Sequence, residues 1–198
     1  MKRFAFFAVF LIAFAFAVSA AAPLQRAAST GTSDKAFDNG TMVAQVGIGY
    51  GVESMYGDMV VPPISAAFEY GVKFAPMVPI SFGGLIGYAS SEQKYDYGPG
   101  NNWKWTYDYY IIGARAAYHF TELIQVKHLD LYAGVMLGYN VVKVSTSGTA
   151  SPGYSASGDY VLYGVYAGVR YYFTDHLGAW SEVGYGVGYI NVGVCYKI

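Results

Sequence analysis

Chemistry in this chain would have to come from few groups. The three histidines are His119, His128 and His176, and the one cysteine is Cys195. Hydrolysis through an activated serine wants a Ser and a His within reach, with a carboxylate to orient the ring. No His-x-Ser occurs. His128-Leu129-Asp130 puts a His and an acid on one face of a strand, but no Ser stands near it in the sequence. The histidines also lack the spacing of a zinc site, so no metal or cofactor is expected. A single Cys permits no internal disulfide, and Cys195 is expected to pack as a small side chain.

A second group of charges is set by periodicity. Runs of period two, separated by turn residues, mark eight strands at about 41–51, 63–74, 80–90, 103–120, 129–143, 159–173, 178–187 and 189–198. The last reads Ile190-Asn191-Val192-Gly193-Val194-Cys195-Tyr196-Lys197-Ile198, large apolar residues alternating with small or polar ones. The second, fourth, sixth and eighth strands share a Gly followed by a basic residue on the same face: Lys73, Arg115, Arg170 and Lys197. With Arg115 and Arg170 facing in, Tyr110, Ile112, Ala114, Ala116, Tyr118 and Phe120 face out, as do Tyr163, Val165, Ala167, Val169, Tyr171 and Phe173. A charge on a lipid-facing wall is costly, so this parity suits a barrel whose outside touches lipid. The Tyr163-to-Phe173 run, tilted at about 40°, covers about 25 Å.

Acids fall on the same inner face: Glu69, Asp130 and Glu182. The expected lumen network is therefore Glu69, Lys73, Arg115, Asp130, Arg170, Glu182 and Lys197, with Arg115–Asp130, Arg170–Glu182 and Glu182–Lys197 as strand-neighbour pairs. Such a network is either a proton or ion path or a plug of paired charges. The plug is favoured, because an eight-stranded interior is only wide enough for its own side chains.

The chain is 54% hydrophobic but only 13% charged, and no apolar run after the N-terminus is long enough for a membrane helix. Lys2 and Arg3, the apolar run from Phe4 to Val18 and the small residues Val18-Ser19-Ala20 read as a signal peptide over residues 1–20, implying export. Its removal takes the 12 basic residues to 10 against 13 acidic, a net charge of −3, with nothing to suggest nucleic acid. Residues 21–40 are small and polar without periodicity, a flexible periplasmic leader. Residues 41–198 form the barrel. The connections after strands one to seven read as medium, short, long, short, long, short and very short.

These features resemble the small eight-stranded bacterial outer-membrane β-barrels of the OmpX and OmpA-transmembrane type, the outer membrane protein beta-barrel domain family. The resemblance covers about residues 41–198 and rests on the signal peptide, the eight dyad strands and the closing Tyr196-Lys197-Ile198. It implies an all-β, eight-stranded antiparallel up-and-down transmembrane barrel in the outer membrane, without enzymatic activity. Outer-membrane lipid and lipopolysaccharide would surround it. Tyr196 and Ile198 would supply the signal read by the barrel assembly machinery, although the family usually ends in Phe. The implied roles are envelope integrity, adhesion and contact with an extracellular ligand or host surface. Three alternatives stay open: a lipid A-modifying barrel enzyme, a narrow channel, and a lipocalin-type carrier of a small apolar ligand. The carrier would want apolar residues inside, and no Gly-x-Trp opens the first strand.

One segment stands out as a recognition surface: Trp103, Trp105, Tyr107, Asp108 and Tyr109. The fourth strand is longer than the roughly 9–11 residues a membrane strand needs, so its first half is expected above the bilayer. There the rings either touch lipopolysaccharide as interfacial aromatics, or stack on sugars or add an edge to a partner strand.

Overall fold

The computed structural model describes residues 35–51, 57–73, 78–96, 98, 102–124, 126–148 and 153–198, with Lys73 described by its backbone alone. The expected signal peptide and residues 21–34 of the leader lie outside the described residues.

Eight antiparallel strands follow one another round a closed ring: β1 (Met42–Tyr50), β2 (Asp58–Lys73), β3 (Pro79–Asp96), β4 (Asn102–His119), β5 (Leu129–Ser147), β6 (Ser155–Tyr172), β7 (Leu177–Gly184) and β8 (Ile190–Lys197). β8 closes the ring on β1, from Val43↔Lys197 to Tyr50↔Ile190. The fold is an all-β, up-and-down barrel. Closure leaves no open edge where every strand is paired.

Alternation decides which side chains fill the inside. Arg115, Arg170, Glu69, Asp130 and Glu182 are all buried, while Ile112, Val165, Leu137 and Val194 are more than half exposed. The outside is thus apolar and the buried charges are inside, the reverse of a water-soluble carrier. Large luminal side chains are accommodated by glycines opposite them: a Cβ on Gly168 would meet the Tyr132 ring at 2.5 Å.

The strands differ from the sequence reading mainly in length. β2 starts at Asp58 rather than 63, β3 runs on to Asp96 rather than 90, β5 to Ser147 rather than 143, and β6 begins at Ser155 rather than 159. Polar residues there keep the ladder because their backbones pair, from Tyr88↔Tyr110 up to Asp96↔Asn102 and from Tyr139↔Val161 up to Ser145↔Ser155. The segments expected as long loops are therefore hairpin ends, and the β4–β5 connection, expected short, carries a 3-10 turn at Phe120–Glu122. Pro62 and Pro63 cannot donate to a ladder, and the β2–β3 register shifts there, between Val61 and Ile64. β7 stops at Gly184, whose φ of 153° favours glycine, and not at 187. The barrel therefore has one tall wall, β3 to β6, and one short wall, β7, β8 and β1.

Candidate functional site

The lower half of the lumen is bridged from wall to wall by charge. Arg115 reaches from β4 across to β7, where Nη2 lies 2.5 Å from Glu182 Oε1. Its Nε lies 2.7 Å from Glu69 Oε1 on β2, but the N–H donates to the Tyr166 hydroxyl at 3.1 Å, so the Glu69 contact is ionic without a hydrogen bond. Arg170 reaches from β6 to Glu69 (2.7 Å), to Asp130 (3.1 Å) and to the Gln45 side-chain oxygen on β1 (2.8 and 3.1 Å). Each guanidinium also lies over a tyrosine, Arg115 on Tyr166 and Arg170 on Tyr132, both at 4.2 Å. Tyr132 donates to Glu182 at 2.7 Å. Planar, multidentate Arg suits such a site, because each buried charge needs several partners at fixed angles.

These pairings differ from the strand-neighbour pairs expected from sequence. Arg115 is bound to Glu69 and Glu182 instead of Asp130, because the register sets it opposite Met136 while Asp130 faces Arg170. Arg170 is bound to Glu69 and Asp130 instead of Glu182. Lys197 does not reach Glu182, which pairs in register with Asn191; its Nζ lies 4.8 Å above the Tyr172 ring near the lower rim. The side chain of Lys73 lies outside the described residues.

His119, at the end of β4, extends the network. Its Nδ1 donates to Asp130 at 2.8 Å, a carboxylate that can only accept. Its Nε2 lies 3.0 Å from Ser81 Oγ, which donates to Glu69 at 3.3 Å. Ser81, His119 and Asp130 thus stand in the order of a nucleophilic site, although the serine proton goes to Glu69 and no sequence spacing announces the arrangement. All three are fully buried. Phe37 covers them, stacked flat on the His119 ring with centroids 3.6 Å apart. The serine has no open side for a substrate, and a nucleophile needs one. His128 and His176 lie at the lower turns, where His176 contacts the Lys197 carbonyl at 2.8 Å. Among the described residues no group of His, Cys, Asp and Glu is arranged to hold a metal.

Phe37 belongs to the segment expected as a flexible leader. Residues 35–40 are instead seated in the lower mouth: Ala36 and Phe37 are buried, Thr121 donates to the Phe37 carbonyl at 3.0 Å, and Lys35 pairs with Glu122 at 2.6 Å. Cys195 packs in the same apolar cluster, with Val43, Tyr172 and Trp180. At the upper end the β7–β8 connection folds inward. Val187 packs among Leu85, Ile111, Met136 and Tyr166. Between the two, a pocket of about 30 Å³ beside Arg115 and Glu182 is room for about one water.

Sequence reasoning missed Gln45, Ser81, His119, Tyr132 and Tyr166 as partners in the network. Period two could have found several: His119 shares the parity of Arg115, Tyr132 that of Asp130, and Tyr166 that of Arg170. Nothing in residues 21–40 signals Phe37.

The aromatic segment is divided between two faces. Trp103, Trp105, Tyr107 and Tyr109 share the inward parity of Arg115; Tyr109 is buried and the other three are partly exposed. Asp108 faces the other way and accepts from the Tyr88 hydroxyl at 2.9 Å. Tyr196 and Ile198 lie on the barrel's outer surface, each at least half exposed.

No family model matches the sequence, and no curated protein matches it. Among solved structures, the chain is similar to the N-terminal β-barrel domain of Pseudomonas aeruginosa OprF, at 15% identity and a TM-score of 0.49, over 81% of this chain and 98% of that one. It is also similar to Ail, the attachment invasion locus protein of Yersinia pestis, solved in complex with the heparin analogue sucrose octasulfate (14% identity, TM-score 0.40, 79% of this chain and 91% of that one). A de novo designed transmembrane β-barrel is similar at 14% identity and a TM-score of 0.40, over 81% and 98%.

Proposed function

We propose that this chain is an exported, integral outer-membrane barrel with a structural and surface-interaction role, and that its lumen is a plug. The observation that carries the reading is the belt on the outside of the ring. Outward positions between two aromatic rows are apolar apart from Ser181, with Ile86, Ile112, Val135, Leu137 and Val165 each more than half exposed. The upper row is Tyr88 and Tyr110, paired in register, followed by Tyr139 and Tyr163, each set diagonally two residues off its neighbour. The lower includes Tyr118, Tyr171 and Phe173. Directly above the upper row, outward charges begin with Asp108, Lys143 and Asp159. In water such a belt would aggregate; in a bilayer it is the lipid-facing wall. Lipopolysaccharide would surround its upper edge, and the exposed Tyr196 and Ile198 of the closing strand would be presented to the barrel assembly machinery.

The experiment is semi-native electrophoresis of the protein from a membrane fraction. The folded barrel should migrate differently from the heated chain and resist extraction by sarkosyl. A sarkosyl-soluble periplasmic protein without heat-modifiable migration would sink the reading.

The Ser81–His119–Asp130 geometry raises an enzymatic alternative. Its burial beneath Phe37, and the donation of the serine proton to Glu69, support a structural role. A serine-directed phosphonate should leave the folded protein unlabelled, and labelling abolished by Ser81→Ala would favour the enzyme.

A further inference from the structure

The tall wall continues β3 to β6 above the charged line of Asp108, Lys143 and Asp159, and the register sorts its side chains into two unlike faces. The outward face carries every charge of residues 89–95, 103–109, 140–146 and 154–160: Glu92, Lys94, Lys104, Asp108, Lys143 and Asp159. The face turned towards the barrel axis carries none. It presents Trp103, Trp105 and Tyr107 along β4, with Tyr95 beside Trp103 and Tyr154 beside Trp105. Ring centroids run 5.0 Å from Tyr95 to Trp103, 5.6 Å to Trp105 and 6.5 Å to Tyr107. The described parts of β1, β7 and β8 end below this level, at Tyr50, Gly184 and Ile190, so the rings stand over the short wall and stay partly exposed.

Two buried polar atoms lie at the foot of this face without a hydrogen-bond partner, Ser91 Oγ and Asn140 Oδ1. Ser91 is opposite Tyr107 in the ladder, and Asn140 is opposite Ile111. Gln93 and Thr146 flank Trp105 on either side. The face therefore combines ring surfaces, neutral hydrogen-bonding groups and no charge.

We propose that this inner face binds an uncharged oligosaccharide laid along β4. A pyranose offers one face of C–H bonds and a rim of hydroxyls. The C–H face stacks on indole and phenol rings, and the rim exchanges hydrogen bonds with amides and hydroxyls. Rings following one another at 5.6 and 6.5 Å meet consecutive sugar units. A sulfated or sialylated chain would want Arg or Lys on the same face, and here the lysines are all on the other. The inference rests on the reading that the tall wall stands outside the bilayer.

The test uses the full chain refolded in detergent micelles, with heat-modifiable migration as the check on folding. Maltotetraose, cellotetraose and chitotetraose serve as neutral probes, and a heparin-derived tetrasaccharide as the anionic one. At least one neutral probe should quench the indole fluorescence saturably and to the same extent at low and high salt. The third tryptophan, Trp180, is buried in the lumen and should not respond. Trp105→Ala should weaken binding by several-fold to about tenfold, with Trp105→Phe intermediate and both variants still heat-modifiable. The proposal is overturned if no neutral probe binds, or if only the heparin fragment binds and salt abolishes it. It is also overturned if Trp105→Ala releases bound lipopolysaccharide instead. Failure of the chain to migrate as a folded barrel would strike at the membrane reading, a separate result.

Discussion

Phe37 lies flat on His119, ring centroids 3.6 Å apart and planes within 4°. A residue that precedes the first strand thus caps the buried end of the luminal charge network. It shields the His119–Asp130 hydrogen bond from the lower mouth, and it joins the charge network to the apolar cluster of Val43, Tyr172, Trp180 and Cys195.

Replacing Phe37 with Ala should therefore destabilise the barrel by about 3 kcal/mol, the usual scale for emptying a buried aromatic site. The measurement is the urea midpoint of the heat-modifiable band in micelles. Because residues 35–40 also hold on through Lys35–Glu122 and Thr121, the barrel should still form. An unchanged midpoint would mean that this segment does not occupy the mouth in solution.

Glu182 is the acid with the most varied partners: Arg115, the Tyr132 hydroxyl and the Gln45 amide. Glu182→Ala removes all three and leaves Arg115 with a single carboxylate, so it should cost about 3–5 kcal/mol. Glu182→Gln keeps the shape and part of the hydrogen bonding and should cost less. Equal losses in urea unfolding would show that charge alone, not the three-way geometry, matters at this site.

The barrel, its strand count and the side of the wall each residue faces were legible because a period of two leaves a strong mark when one face is apolar and the other carries Arg and Glu. Partner choice inside the lumen was not. Arg115 and Arg170 are long enough to cross an eight-stranded ring, so they meet acids on non-adjacent strands, and neighbour logic assigned Arg115 to Asp130 and Lys197 to Glu182 wrongly. The tall wall was half visible: β4 was expected to rise above the bilayer, but β3, β5 and β6 were cut short where their sequences turn polar. Polarity there marks the end of the apolar belt, while the backbone ladder carries on unchanged. The seating of Phe37 left no mark at all, since one aromatic residue in an aperiodic stretch has no pattern to read.

On the outward side of the tall wall, Glu92 pairs with Lys104 and Lys94. Glu92 lies four residues beyond Tyr88, about 13 Å further along the strand and clear of the apolar belt. The hydrogen bond from Lys104 holds its carboxyl below the usual carboxylate range. A pKa lower in the folded state than in the unfolded one means that the pair's contribution is complete at neutral pH and is lost as pH falls through the depressed value. Lys94 is largely and Lys104 partly solvated, so the contribution is small and screened by salt. Titrating wild type and Lys104→Met by carbon-13 NMR should show the Glu92 carboxyl titrating at higher pH in the variant. A coincident pair of curves would remove the ion pair from the account.

Closure of the lumen is layered, which makes conductance a demanding test. Phe37 covers the lower mouth and Val187 the upper, yet neither is the middle barrier. Arg115 joins β4 to β2 and β7, and Arg170 joins β6 to β1, β2 and β5, so two guanidinium groups with their carboxylates cross the bore in different directions. Removing both caps, in a Phe37→Ala and Val187→Gly double variant, should therefore leave planar bilayers without a steady ohmic current, although its unfolding midpoint falls. Adding Arg115→Ala to that variant takes out one of the two crossings and should be the first change to admit small ions, provided the triple variant still migrates as a folded barrel. A current already present in the double variant would show that the charged layer leaves a continuous path beside it, and the lumen would then be a channel held shut by its two ends.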